Sequence, residues 1–294
     1  MAAGDTLAAN VAELTQSIIA ATVMQMPQHA PCMNLFEKVD IPDGRNSVLI
    51  PRNNSTFSVQ TPTDGDEIVT NSQFDLTSTT ISPTYRVIKV RISERAKYFS
   101  QQDVMRMIST ELARAEGQDL DTDISAEFSN LGLSGGTTNT DIALSDLRNA
   151  RRQLMDNTVA NGGPAPDPIS VILAPIPVEN LLTNLGVQGV VSSTNPWIPS
   201  GLSEDFIKQY LVAGVNLVGV PVYWDGYLTQ NGSGDYICAM ASKQAIQYAV
   251  SKNWDMKTFD ESNWVGTILR AVADYNSGVG KYANWGVKLT ADGA

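Results

Sequence analysis

The longest regular pattern of apolar positions runs from Ser100 to Leu131 and predicts one long amphipathic helix, called the spine helix below. Ser100 and Asp103 supply a hydroxyl and a carboxylate that can accept hydrogen bonds from the first free backbone N–H groups. At about 100° per residue, the apolar positions before Gly117 fall on one face and those after it on another. We therefore expect the two halves to pack against different parts of the protein, with an ordinary core helix as the alternative. The apolar positions are Val104, Met105, Ile108, Leu112, Ala115, Leu120, Ile124, Phe128 and Leu131.

The residues from Ser47 to Ser93 show a β-type pattern instead. Its segments are Val48–Ile50, Phe57–Val59 and Tyr85–Ile92, and Asp64-Gly65 is a hairpin turn signal. In the last segment polar and apolar residues alternate, so we expect one of its faces to contact water. Together they predict a long two-stranded ribbon with little apolar content, which needs a surface to lie on. We favour an extended ribbon bound to a partner; the alternative is a hairpin folded back on its own body.

The N-terminal region predicts an amphipathic helix on a proline-containing tether. Apolar residues recur at helical spacing between Asp5 and Gln25, and Pro27 and Pro31 then break the pattern. Such a helix can dock into a groove of a partner or on its own domain, and the pattern leaves both open.

The second half of the chain predicts a compact α/β domain over residues 142–257. Residues 132–136 indicate a helix stop and a loop, and a proline-rich linker runs from Pro164 to Pro168. Two β-type segments in the tail, Thr267–Ala273 and Trp285–Thr290, are expected to return to a sheet beside the spine helix. Within 142–257 the predicted elements are a helix at Ser145–Met155, a buried strand at Ser170–Ala174, a helix opening at Pro177, a helix at Ser203–Leu211, and β-type segments at Asn216–Tyr223, Tyr236–Met240 and Ile246–Val250.

Composition agrees with a folded chain of about two domains. Of the 294 residues, 43% are hydrophobic and 17% charged, and the formal net charge is −11. Lys38 is the first basic residue, so the N-terminus is a poor nucleic-acid arm. The two cysteines do not form a disulfide framework, and no secretory signal or membrane-length apolar run is evident. We expect a soluble protein made in the cytoplasm.

Motifs for catalysis or metal binding are absent from the sequence. The single histidine, His29, lies in the tether, which argues against a His-based triad or a His/Cys metal cluster. Asp119, Asp121 and Asp123 form an acidic run, but carboxylates at this spacing point apart on a helix. We expect this run to be a solvated face. The sequence predicts no enzyme, no catalytic residue, no cofactor and no metal.

The order of elements in the second half resembles that of the major capsid proteins of tailed bacteriophages, those with the Hong Kong phage shell fold. After the long helix come Leu144-Ser145-Asp146-Leu147-Arg148-Asn149-Ala150-Arg151, Val171-Ile172-Leu173-Ala174-Pro175, Val218-Gly219-Val220-Pro221-Val222 and Ala239-Met240-Ala241-Ser242-Lys243-Gln244-Ala245-Ile246. The resemblance covers the chain from about Ser47 to its end.

The resemblance implies an α+β fold with an N-terminal arm, an extended β-hairpin loop, a peripheral domain with the spine helix, and an axial α/β domain. The corresponding ranges are 1–44 for the arm, 45–92 for the loop, 93–141 with 258–294 for the peripheral domain, and 142–257 for the axial domain. The chain starts at Met1 without a long scaffold-like segment, so we expect no N-terminal propeptide.

The implied function is that of a major capsid protein, which self-assembles into the icosahedral head of a tailed phage around double-stranded DNA. Its partners would be copies of itself in hexamers and pentamers, a separate scaffold, cement or portal protein, and packaged DNA without sequence-specific binding, with no membrane. It would be assembled in the host cytoplasm and located in the virion. The alternatives are an encapsulin-like nanocompartment shell protein and a monomeric α/β ligand-binding protein or enzyme.

Two expectations concern contacts between subunits. The acidic loop tip, Asp64, Gly65, Asp66 and Glu67, should dock on Arg106 and Arg114 of a neighbour's spine helix, because the family lays the loop across a neighbouring subunit. The loop has no lysine between Lys38 and Lys89, and the crosslinking branch of the family needs a loop lysine as nucleophile. We therefore expect a shell without covalent links.

Overall fold

The structure, a computed structural model, describes residues 30–42, 44–53, 55, 57, 59, 61, 74–93, 102–181, 216–217, 219–260 and 266–293. The predicted helices at 5–25 and 203–211, the Asp64-Gly65 turn and His29 lie outside them. Among the described residues, no helix is both long and apolar enough to cross a membrane. The helices are α1 (Pro31–Leu35), α2 (Gln102–Ala126), α3 (Leu144–Met155) and α4 (residues 175–181). The strands are β1 (Glu37–Asp40), β2 (Val48–Asn53), β3 (Leu76–Ile81), β4 (Thr84–Ser93), β5 (Leu133–Gly136), β6 (Ile169–Leu173), β7 (Asn216–Leu217), β8 (Val220–Trp224), β9 (Tyr236–Ser242), β10 (Ile246–Asp260), β11 (Gly266–Val279) and β12 (Gly286–Ala291).

A six-stranded sheet in the order β5-β12-β9-β6-β8-β7 holds the largest core. Strand β6 lies between β9, which is antiparallel to it, and β8, which is parallel, and all of its residues are buried. Helix α3 buries Leu147, Ala150 and Leu154 in the same core. The predicted buried strand at 170–174 and helix at 145–155 are therefore confirmed.

Several strand predictions in this region were wrong in detail. Residues 133–136 are strand β5, because glycines there allow a close approach to β12: a Cβ on Gly136, whose φ is +75°, would lie 2.2 Å from the carbonyl oxygen of Thr290. The predicted strand 216–223 is two short antiparallel strands that turn at Gly219, where φ is +74°. Helix α4 starts at residue 175, two residues before the predicted Pro177.

A four-stranded sheet in the order β1-β10-β11-β4 forms the second layer. Three predictions of sheet membership change as a result. Strand β4 pairs with β11, so it belongs to this sheet and not to the ribbon. Strand β10 also lies here, although the sequence placed Ile246–Val250 with the other sheet. The reverse holds for β12, which pairs with β9 in the six-stranded sheet. Strand periodicity shows which residues face a core but not which neighbour a strand chooses, which explains all three errors.

The spine helix α2 connects the two sheets, and the expected change of partner is confirmed. In its first half, Leu112 packs with Leu269 and Ala271 of the four-stranded sheet. In its second half and the 3₁₀ turn that follows, the apolar residues join the core of the six-stranded sheet; these are Leu120, Ile124, Phe128 and Leu131. One position differs, since Ala115 is exposed and Ala113 is buried in its place.

The segment at residues 30–41, which the prediction placed in the arm, packs on the body of its own chain. Pro31 begins the short helix α1, where a fixed φ favours a proline. Strand β1 then pairs in parallel with β10, and the rings of Phe36 and Phe128 lie 5.9 Å apart. This docking was not expected, and it ties the segment to both the spine helix and the four-stranded sheet. The division of the chain into domains stays a prediction.

Candidate assembly interface

Strands β2 and β3 form a separate antiparallel ribbon with two different faces. The register pairs Val48 with Ile81 and Asn53 with Leu76. Because side chains alternate along a strand, Val48, Ile50 and Ile81 share one face, and Leu49 and Leu76 share the other. The predicted ribbon therefore exists, but its second strand is β3, and Phe57 and Val59 lie outside any strand. The pattern missed β3 because Leu-Thr-Ser-Thr-Thr-Ile is mostly polar.

The inner face anchors the ribbon to the body. Ile50 and Ile81 are buried in a small cluster with Ile41 and Ala249, so they contact the edge where β1 meets β10. The hydroxyl of Tyr282 donates a hydrogen bond to the carbonyl oxygen of Asn53. This base is held by apolar contacts and by a hydrogen bond, as in an ordinary protein interior.

The outer face carries large apolar side chains that nothing in the described chain covers. Leu49 is 60% exposed, Leu76 59% and Val59 93%. The rings of Phe57 and Phe74 stack on one another with centroids 6.3 Å apart, and both remain more than half exposed. Contiguous exposed apolar groups of this kind are uncommon in soluble monomers and mark interaction surfaces. We call these five residues the outer ribbon face.

The predicted contact residues are only partly covered by the structure. Asp64, Gly65, Asp66 and Glu67 lie outside the described residues. Arg106 belongs to α2, but its side chain is outside the description; Arg114 is exposed on the same helix. The acidic tip and the two arginines are therefore not seen together, and their contact stays a prediction.

The acidic run of the spine helix is not a solvated face, contrary to the prediction. The guanidinium of Arg86 on β4 bridges Asp119 and Asp123, with N–O distances of 3.2 and 2.7 Å. The hydroxyl of Tyr275 donates to Asp119, and the amide of Ser277 donates to Asp123 at 2.9 Å. Burial, followed by the hydrogen bond to Asp119, raises the pKa of Tyr275. These contacts fasten the middle of the spine helix to β4 and β11.

Asp121, the central residue of the run, is fully buried on the opposite side. Its carboxylate accepts a hydrogen bond from the backbone amide of Cys32 at 2.8 Å. The sequence held a signal for this burial. Asp121 follows Gly117 by four residues and precedes Ile124 by three, which places it on the apolar stripe of the helix. Glu116 is buried for the same reason, between Leu112 and Leu120 one turn away on each side.

Comparison with known proteins bears on the fold. No known protein family and no curated protein matches the sequence. Among solved structures, the capsid of Cyanophage P-SCSP1u aligns with a TM-score of 0.63 and 16% identity, covering 88% of this chain and 87% of that one. A chain of Mycobacterium phage Che8 aligns with a TM-score of 0.60 and 16% identity, covering 83% and 84%. The SrpI encapsulin of Synechococcus elongatus PCC 7942 aligns with a TM-score of 0.58 and 9% identity, covering 89% and 86%.

At these identities the similarity shows the fold. The chain has the mixed helix-and-sheet shell fold of phage capsid proteins, which confirms the resemblance and the fold class predicted from the sequence. The geometry adds a ribbon that is anchored on one face and bare on the other.

Proposed function

We propose that this chain is the major subunit of the icosahedral head of a tailed phage, which encloses double-stranded DNA. The observation that carries the proposal is the outer ribbon face, borne on a fold that matches phage capsids over almost the whole chain. In this role the chain is a structural protein of the virion, and it performs no catalysis. Its main partners are further copies of itself.

Assembly follows from the imbalance between the two faces of the ribbon. Fully burying one Leu or Phe side chain contributes about 1.5–3 kcal/mol, so covering several of them on a neighbour supports association. Because every subunit in a ring both gives and receives such a contact, the gain repeats around each hexamer or pentamer. The net charge of −11 fits non-specific enclosure of DNA and not sequence-specific binding. A separate scaffold, cement or portal protein belongs to the same proposal.

The size of the purified protein tests the proposal. Full-length wild-type chain should form large closed particles in light scattering and electron microscopy, and Leu49→Ser with Leu76→Ser should keep it as small species. Thr80→Ala is the matched control, because Thr80 is exposed on the same ribbon face and polar. A wild-type chain that stays monomeric under conditions favouring assembly would contradict the proposal. Boiled particles should give one band near 31.7 kDa, since no covalent link is expected.

The acidic loop tip supplies a second contact within the same proposal. Asp64, Asp66 and Glu67 are proposed to meet Arg106 and Arg114 of the next subunit. One exposed ion pair contributes only about 0–1 kcal/mol, but the contact recurs in every subunit. Reversal of Asp64 and Asp66 to Lys should raise the protein concentration needed for particles, as measured by light scattering. Particles formed at the wild-type threshold would show that the tip binds elsewhere.

A nanocompartment shell is the second candidate, because the SrpI encapsulin matches the fold almost as well as the phage chains do. The two functions differ in cargo. Nuclease-protected double-stranded DNA in particles from the natural source supports the phage head, whereas a protein cargo without DNA supports the nanocompartment.

A further inference from the structure

Three separate segments bring Cys32, Asp121 and Asp225 together inside the protein. Cys32 lies in α1, Asp121 in the spine helix α2, and Asp225 directly after β8 of the six-stranded sheet. The sulfur of Cys32 and one carboxylate oxygen of each aspartate lie within 4.8 Å of one another, and all three residues are buried. The group therefore sits where the start of the described chain, the spine helix and the six-stranded sheet meet.

Backbone amides orient the two carboxylates. The amide of Cys32 donates to Oδ1 of Asp121 at 2.8 Å, and the amide of Tyr227 donates to Oδ1 of Asp225 at 2.9 Å. Oδ2 of Asp225 is 3.6 Å from the sulfur of Cys32, and Oδ2 of Asp121 is buried without a hydrogen-bond partner. Each carboxylate thus has one oxygen fixed by the backbone, the kind of outer support that orients metal-binding carboxylates.

The charge of this group is not balanced by a side chain. In the part of the chain that the structure describes, no lysine, arginine or histidine forms an ion pair with Asp121 or Asp225. A buried carboxylate is costly without a counter-charge, and two in contact are costlier still. Burial first, and then the adjacent Asp225, raise the pKa of Asp121 to about 8. The group therefore requires either a proton or a cation.

We propose that Cys32, Asp121 and Asp225 bind one divalent cation of the zinc class. A thiolate with carboxylates suits Zn²⁺ or Co²⁺, whereas Ca²⁺ and Mg²⁺ take oxygen ligands alone. With Zn–S near 2.3 Å and Zn–O near 2.0 Å at a tetrahedral angle, the S–O separation is about 3.5 Å. The 3.6 Å between Cys32 and Asp225 fits this value. The ion would cross-link α1, the spine helix and the six-stranded sheet, and the protons that it displaces would pass to solvent.

Metal binding by full-length protein tests the site. Wild-type chain purified without chelator, then supplied with Zn²⁺ and dialysed, should retain about one zinc ion per chain. With Co²⁺ it should show the absorption band of thiolate-to-cobalt charge transfer. Cys32→Ala and Asp121→Asn should each remove the retained ion, and Cys32→Ala should also remove the band. Cys238→Ala is the matched control, since Cys238 is equally buried and is not assigned to the site.

Thermal unfolding gives a second measurement that does not depend on spectroscopy. Zn²⁺ should raise the midpoint of the wild-type chain and of Cys238→Ala, but not that of Asp121→Asn, which keeps the shape of the side chain. Wild-type chain that retains no zinc and shows no cobalt band would overturn the proposal and leave a shared proton between the aspartates. Equal metal retention by wild type and Asp121→Asn would overturn the ligand set.

Discussion

Strand β6 and the β2–β3 ribbon contain similar side chains but end in opposite situations. β6 buries every residue of Ile-Ser-Val-Ile-Leu, because strands flank it on both sides and the chain covers both of its faces. The ribbon buries Ile50 and Ile81 but leaves Leu49 and Leu76 exposed. The chain completes the core around β6 by itself, whereas the ribbon is complete only if another surface covers its outer face. The position of a leucine therefore decides whether it serves folding or association.

Truncation of one leucine in each region should separate these roles, and it is the largest effect that we expect. Leu173→Ala in β6 should lower the free energy of unfolding by about 2–5 kcal/mol, because it leaves a cavity in a closed core. Leu76→Ala in β3 should change it by less than about 0.5 kcal/mol, because the side chain is already exposed. Chemical denaturation of unassembled subunits measures both.

The matched outcome for assembly should be the reverse. Leu76→Ala should raise the concentration at which particles form, while its subunit unfolds like wild type. If Leu76→Ala destabilised the isolated subunit as much as Leu173→Ala does, the outer ribbon face would be covered within one chain. The comparison between the two regions would then fail.

The sequence predicted single elements better than their pairing. The spine helix was found because Leu112, Leu120 and Phe128 repeat at helical spacing over many turns. The place of β12 was missed, because an alternating strand does not specify its neighbour. In the candidate interface, the ribbon was predicted from its weak apolar content, but β3 was hidden in a Ser/Thr-rich segment. The group formed by Cys32, Asp121 and Asp225 depends on contacts between residues up to 193 positions apart, which no local pattern reports.

Glu116 tests how completely the chain closes its own interior. Burial raises the pKa of this carboxyl group to about 7 from 4.5, and its Oε1 has no hydrogen-bond partner. The folded protein thus binds the proton more tightly than the unfolded chain does. The resulting stability is present below about pH 4.5 and is lost as the pH rises through about 7. Glu116→Gln should therefore match wild type near pH 4.5 and exceed it by up to about 3 kcal/mol above pH 8.

Denaturation of the subunit across this pH range measures the effect. Glu111→Gln provides the control, because Glu111 is exposed on the same helix and its change should leave the wild-type pH profile in place. A Glu116→Gln variant whose advantage over wild type does not grow with pH would mean that this carboxylate is solvated in the folded subunit.

Arg86 marks the boundary between the closed interior and the surface, and its replacement should have the smallest effect. The guanidinium contacts Asp119 and Asp123, one helical turn apart, with two different nitrogens. A lysine keeps the charge but concentrates it on one nitrogen, which cannot reach both carboxylates in the same way. Because the side chains are partly exposed, Arg86→Lys should lower the free energy of unfolding by about 1 kcal/mol. Lys38→Arg at the exposed pair with Asp40 should change it by less than about 0.5 kcal/mol. Equal effects of the two variants at low salt would show that the joint between β4 and the spine helix behaves as open surface, and that the closed interior ends at the apolar contacts of Leu112.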